Sequence, residues 1–94
     1  MPGDAELLFH EKRAYAGGII EIVVWWVPAP VPPGDHPFKY RLVFARDGRR
    51  VVGYDNERGK GDHRHIGRKE LRHEFVDEDK LLQDFWQDVK EATK

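Results

Sequence analysis

The stretch FKYRLVFARDGRRVVGYD, residues Phe38–Asp55, decides the fold. Phe38, Tyr40, Leu42 and Phe44 alternate with Lys39, Arg41 and Val43. That period of two sets an apolar face against a polar one on a β-strand. Asp47-Gly48 comes next, a dipeptide that accepts the positive φ angles of a tight hairpin turn. Val51, Val52 and Tyr54 then resume a packable pattern. The spacing predicts an antiparallel hairpin.

Working toward the N-terminus, the segment Pro28–Pro37 holds five prolines in ten residues. Each fixes φ and removes a backbone donor, so this segment is a stiff loop and not a strand. A Pro-rich stretch can also dock into aromatic-lined grooves, but between two strands the connecting role is favoured. Before it, AELLFHEKRAYAGGIIEIVVWWVP, residues 5–28, reads as another hairpin, with Gly17-Gly18 supplying the turn. Ile19 to Val27 are β-branched or aromatic except for Glu21, as expected of a central strand buried on most of both faces.

Working toward the C-terminus, YDNERGKGDHRH, residues Tyr54–His65, breaks the hydrophobic pattern until Ile66. It reads as a loop, or a loop leading into a short strand, at the sheet edge. RKELRHEFV, residues 68–76, alternates weakly and could form a fifth, edge strand whose charges blunt that edge. The tail is a helix, with Asp77 as N-cap and Glu78 and Asp79 in the first turn, where the macrodipole favours acids. Leu81, Leu82, Phe85, Trp86 and Val89 make one apolar stripe on it. The expected architecture is a single α+β domain over residues 1–94: an antiparallel sheet of four to five strands packed on one side by a C-terminal helix.

Composition sets the outer bounds. A chain of 94 residues that is 39% hydrophobic and 35% charged, with eleven aromatics, is too apolar to be disordered and long enough for one modest core. It has no cysteine, which excludes disulfides and Cys-based zinc sites and fits a bacterial or archaeal cytoplasm. The opening MPGDAELLF lacks the pattern of a signal peptide, and the longest apolar run, Ile22 to Val27, is too short to span a bilayer. A soluble protein with no membrane partner is expected. The net charge of −1 hides an asymmetry: from His36 to Arg72 eleven Lys/Arg face five acids, so the centre carries +6 and the ends −7. A basic centre can bind a polyanion locally, or the two regions can simply pair within the fold.

The crowded segment carries the candidate chemistry. Gly59 and Gly61 flank Lys60 and could expose amide groups to an anion, although the spacing is not that of a nucleotide P-loop and a turn explains them equally well. His63 and His65 lie two apart, on one face if the chain is extended, and imidazole can move protons near neutral pH. Asp55, Glu57 and Asp62 add carboxylates, which gives metal-ligand types without a diagnostic spacing, so neither metal nor other cofactor is expected. Arg58, Lys60 and Arg64, with Lys39 and Arg41 from the neighbouring strand, could hold a phosphodiester and stabilise charge developing on it. Tyr40, Tyr54 and Trp25 or Trp26 could stack bases if exposed, though in so small a domain the tryptophans are expected in the core.

The runs HPFKYRLVF, RRVVGYDNERGKGDHRHI and EDKLLQDFWQDV together resemble the TumE-type toxins of bacterial and archaeal toxin-antitoxin systems. The resemblance covers His36 to Val89 well and the leading hairpin more loosely. It maps the family's motif onto His36, Lys39, Tyr40, Tyr54, Asp55, Asn56, Glu57, Gly59, Gly61, Asp62, His63 and His65. It implies a toxin neutralised by direct contact with a cognate helix-turn-helix antitoxin, and it transfers no defined reaction. Combined with the residues, it points to a toxin acting on RNA without a metal. His63 or His65 and Glu57 or Asp62 are then acid and base, Lys39, Arg41, Arg58, Lys60 and Arg64 hold phosphate, and Tyr40, Tyr54, Asp55 and Asn56 support the site. The rival is a non-catalytic module that grips nucleic acid or a protein. A third reading makes the charged segment structural, its ion pairs tying the sheet edge to the helix. An unpaired edge strand and the Trp25-Trp26 pair leave a homodimer open.

Overall fold

The computed structural model describes residues 4–94; residues 1–3, part of the stretch read for a leader, lie outside the described residues. Six strands follow one another, β1 (Glu6–Tyr15), β2 (Gly18–Trp26), β3 (Phe38–Arg46), β4 (Arg49–Glu57), β5 (Gly61–Ile66) and β6 (Lys69–Arg72), before helix α1 (Glu78–Ala92). They pair in sequence order as one antiparallel meander.

The Phe38–Asp55 hairpin forms as its pattern dictates. Asp47 and Gly48 take φ of 55° and 72°, the twist that matches two right-handed strands. In the first hairpin the turn is Ala16-Gly17 and not Gly17-Gly18, because Gly18 already pairs with Tyr15 as the first residue of β2.

One face of the sheet is the core. Ile20, Ile22 and Val24 of β2 stand opposite Phe44, Leu42 and Tyr40 of β3, and Phe44 and Leu42 stand opposite Val52 and Tyr54 of β4. All eight are buried with Leu81, Phe85 and Val89 of α1, so the helix covers this face. The Asp77 side chain accepts from the Lys80 amide at 2.7 Å and starts the helix as expected of an N-cap.

Three expectations change. The sheet has six strands, not four to five, because Tyr54–His65 is not a loop: β4 continues to Glu57, turns through Arg58–Lys60, and returns as β5. Residues 68–76 supply only the four-residue β6. Second, β2 is buried on one face and not on both, since Ile19 is 44% exposed and Glu21, Val23 and Trp25 lie half-buried on the uncovered side. One helix can cover only one face of a sheet. Third, the tryptophans are not core: Trp25 is half-buried on the open face and Trp26 is 37% exposed. Among the described residues no helix is long and apolar enough to cross a membrane.

Candidate functional site

Because Tyr54–Glu57 and Gly61–Ile66 are strands, their side chains alternate between the two faces. The ladder sets Tyr54 opposite Arg64, Asp55 opposite His63, and Asn56 opposite Asp62. Tyr54, Asn56, Asp62 and Arg64 therefore turn to the helix side. Asp55, His63 and His65 turn to the open side. The charged segment is two sites' worth of residues interleaved.

On the helix side the four residues of the charged segment all have partners. Tyr54 donates its hydroxyl hydrogen to Asp88 of α1, and Arg64 pairs with the same carboxylate at 3.1 Å. Tyr40 donates to Asp62 at 2.6 Å, and His36, from the Pro-rich loop, meets the Asp62 carboxylate at 2.9 Å while its ring stacks on Phe75. Burial first, and then the carboxylate each one meets, push the Tyr40 and Tyr54 hydroxyls far above their ordinary range. They serve as fixed donors and not as proton shuttles. Asn56 is buried, accepting from the Tyr40 amide at 3.1 Å and donating to the Phe38 carbonyl at 2.7 Å.

The open side is organised differently. Asp55 meets His63 Nε2 at 2.6 Å, and His63 Nδ1 lies 3.0 Å from the Gly61 carbonyl. A carbonyl only accepts, so Nδ1 carries the hydrogen and the ring's orientation is fixed at both ends. The His65 ring stands edge-on to His63, with centroids 5.0 Å apart. Burial first, then the charge of Arg50, hold the His65 imidazole below its ordinary value, so it is neutral near pH 7. Arg50 reaches this position because Gly53, on the row of His65, leaves room: a Cβ there would lie 2.7 Å from the Arg50 Cδ. Arg41, Asp55, His63 and Arg72 stand side by side across β3 to β6. Trp25, Lys39 and Arg41 line a hollow of about 260 Å3 on the same face.

The expected site residues are thus partly brought together and partly separated. His63, His65, Asp55 and Arg41 share one face, and Arg50 and Arg72, not among the residues expected, join them. Asp62 and Arg64 sit on the opposite face within ion pairs, with Tyr40, Tyr54 and Asn56. Glu57 and Arg58 are exposed at the β4–β5 turn, Lys60 pairs with Glu70 at 3.7 Å, and the Lys39 ammonium donates to the Asn56 carbonyl. Asp55, His63 and His65 each bring one ligand-type atom within 4.8 Å of the others, so these are the residues that could hold a metal ion.

A family model described as toxin TumE matches residues 4–93, nearly the whole chain. The chain belongs to the TumE toxin family. No curated protein and no solved structure gives a significant match. In this TumE-family chain the residues singled out from the sequence divide between the two faces described above: His36, Tyr40, Tyr54, Asn56 and Asp62 build the helix side, and Asp55, His63 and His65 the open one. Family membership marks the protein as a toxin. The geometry must say where it acts.

Proposed function

We propose that this toxin acts on RNA at the open face of its sheet, as a ribonuclease-like phosphodiester cleaver. The observation that carries the reading is the Asp55–His63 contact with His65 beside it, in one cross-strand row with Arg41 and Arg72. Cleavage requires the ribose 2′-OH to lose its proton to one imidazole as its oxygen attacks phosphorus. The bond to the 5′-oxygen breaks, a 2′,3′-cyclic phosphate forms, and the departing oxygen takes a proton from the second imidazole. His65, the ring held neutral, is the one that can take the 2′-OH proton, and His63, with its Nε2 2.6 Å from the Asp55 carboxylate, would carry the proton given to the departing oxygen. Arg41 and Arg72 would hold the phosphate, and Trp25 offers a stacking surface in the hollow rimmed by Lys39 and Arg41. Arg64 and Asp62 drop out of the reacting set, since both serve the helix-side network.

A toxin implies a neutralising partner, here a helix-turn-helix antitoxin encoded beside it. The exposed apolar side chains of β1, Leu7, Leu8 and Phe9, offer that partner an edge strand.

The test is growth arrest with RNA mapping for the wild type and the His63→Ala/His65→Ala double variant, with chelator present. Loss of arrest and of cyclic-phosphate ends, with RNA binding retained, is the expected result. Wild-type protein that arrests growth while leaving bulk RNA and translating messages intact would sink the reading. Retained cleavage in the double variant would remove the histidines from it.

A further inference from the structure

We infer that Asp55, His63 and His65 form a binding site for one divalent transition-metal ion of the zinc type. The sequence alone offers an H-x-H pair with three nearby acids and no spacing that picks out a third ligand. The fold supplies that ligand from the next strand: Asp55 is the ladder partner of His63, and the three donor atoms fall within 4.8 Å of one another. Two imidazoles and one carboxylate on one side of an ion leave its remaining positions open to water or substrate, a set that suits zinc and its neighbours in the first transition row.

Two further observations point to a cation. The first is the orientation of His63. Its Nδ1 hydrogen is directed at the Gly61 carbonyl 3.0 Å away, an arrangement that leaves Nε2 facing Asp55, and most metal-binding histidines likewise donate from their second ring nitrogen. The second is Asp55. Its Oδ1 is buried and has no aligned hydrogen-bond donor, although it lies 2.6 Å from His63 Nε2. Both atoms are of metal-ligand type, and an ion between them would satisfy Oδ1 once the two atoms part to about 3.3 Å, the separation that tetrahedral bonds of about 2.0–2.1 Å impose. His65 completes the set, its ring edge-on to that of His63 with centroids 5.0 Å apart.

The site stands independently of cleavage, and its test needs no RNA. Full-length chain freed of metal with EDTA is titrated with zinc in a calorimeter and with cobalt(II) in a spectrophotometer. We expect one ion per chain, a cobalt d–d spectrum of four- or five-coordinate intensity, and a melting temperature that rises with zinc concentration. His65→Ala and Asp55→Asn, which leave the buried His63 in place, should each weaken binding by about tenfold or more, a loss at least as large as that from removing an outer-shell partner. His10→Ala, on the β1 edge, should change nothing. Absence of a stoichiometric ion, or binding that survives both His65→Ala and Asp55→Asn, overturns the inference. Zinc at this site would occupy the imidazole nitrogens that cleavage uses, so the chelated and zinc-loaded forms also differ in the growth-independent RNA assay: chelated protein cleaves and loaded protein does not.

Discussion

Asn56 lies inside the most charged segment of the chain and yet behaves as a piece of backbone. Its carboxamide accepts from the Tyr40 amide and donates to the Phe38 carbonyl, so it continues the β3–β4 ladder where the two strands part. Asn56→Ala leaves both main-chain groups without partners in a buried place. Two unsatisfied groups at about 1–3 kcal/mol each predict a loss of about 2–6 kcal/mol, measured as a fall in urea midpoint with an unchanged slope. A structural role for Asn56 could not be read from sequence, because its partners lie 16 and 18 residues away. The pairing of His63 with His65 was legible, since a spacing of two puts both rings on one face of any extended chain. Asp55 was legible only as a nearby acid. Asp62, adjacent to His63 in sequence, looked closer to it than Asp55, but adjacency in a strand places two side chains on opposite faces.

At the scale of elements, the segments that announced themselves carry one strong local signal each: Asp47-Gly48 for the hairpin, Asp77 with Glu78 and Asp79 for the helix start. Strand β5 carries none. Its inward residues Asp62 and Arg64 are as polar as its outward ones, because they bond to other side chains and do not pack as apolar groups, so the period of two disappears from its hydropathy. Arg64, through Asp88, and the chain just after β6 fasten the sheet edge to α1, where Asp84 meets His73 at 3.4 Å and pairs with Lys80. Burial alone would raise the Asp84 carboxyl, but the Lys80 ammonium and His73 outweigh it and hold the group below its ordinary value of 3.8. The unfolded chain then binds that proton more tightly than the folded one. The stabilisation is complete above the ordinary value and is lost as pH falls through the lower, folded one. Asp84→Asn should therefore be less stable than wild type at pH 7, by about 1 kcal/mol or less for a partly exposed pair. The difference should close as denaturation is repeated at successively lower pH, and a difference that stays constant into acid would rule out this origin.

The whole molecule is a single sheet with two unlike faces, one closed by α1 and one left open with its charges, and the +6 centre of the sequence belongs to both. Arg64 spends its charge on Asp88, and Lys39 donates to a carbonyl, whereas Arg41 keeps a 58% exposed side chain with one carboxylate, Glu21 at 3.7 Å, within ion-pair distance among the described residues. Arg50 and Arg72 have no carboxylate within ion-pair distance among the described residues. Counting basic residues along the chain therefore overstates what a polyanion would meet, and the meander order decides which cations remain. This separation makes stability and binding independently adjustable. Phe85→Ala removes a fully buried ring from beneath the sheet and should cost about 3–5 kcal/mol, a large share of the stability of so small a domain. Because it leaves the open face intact, the molecules that remain folded should bind single-stranded RNA with an unchanged salt dependence. Arg41→Ala/Arg72→Ala should do the reverse. Surface changes of this kind shift stability by about 0.5 kcal/mol or less. Each lost phosphate contact should flatten the slope of log K against log salt by about 0.7, so the double variant should lose about 1.4. An unchanged slope in the arginine variant, measured by fluorescence anisotropy across a salt series, would mean that RNA does not lie along the Arg41–Arg72 row.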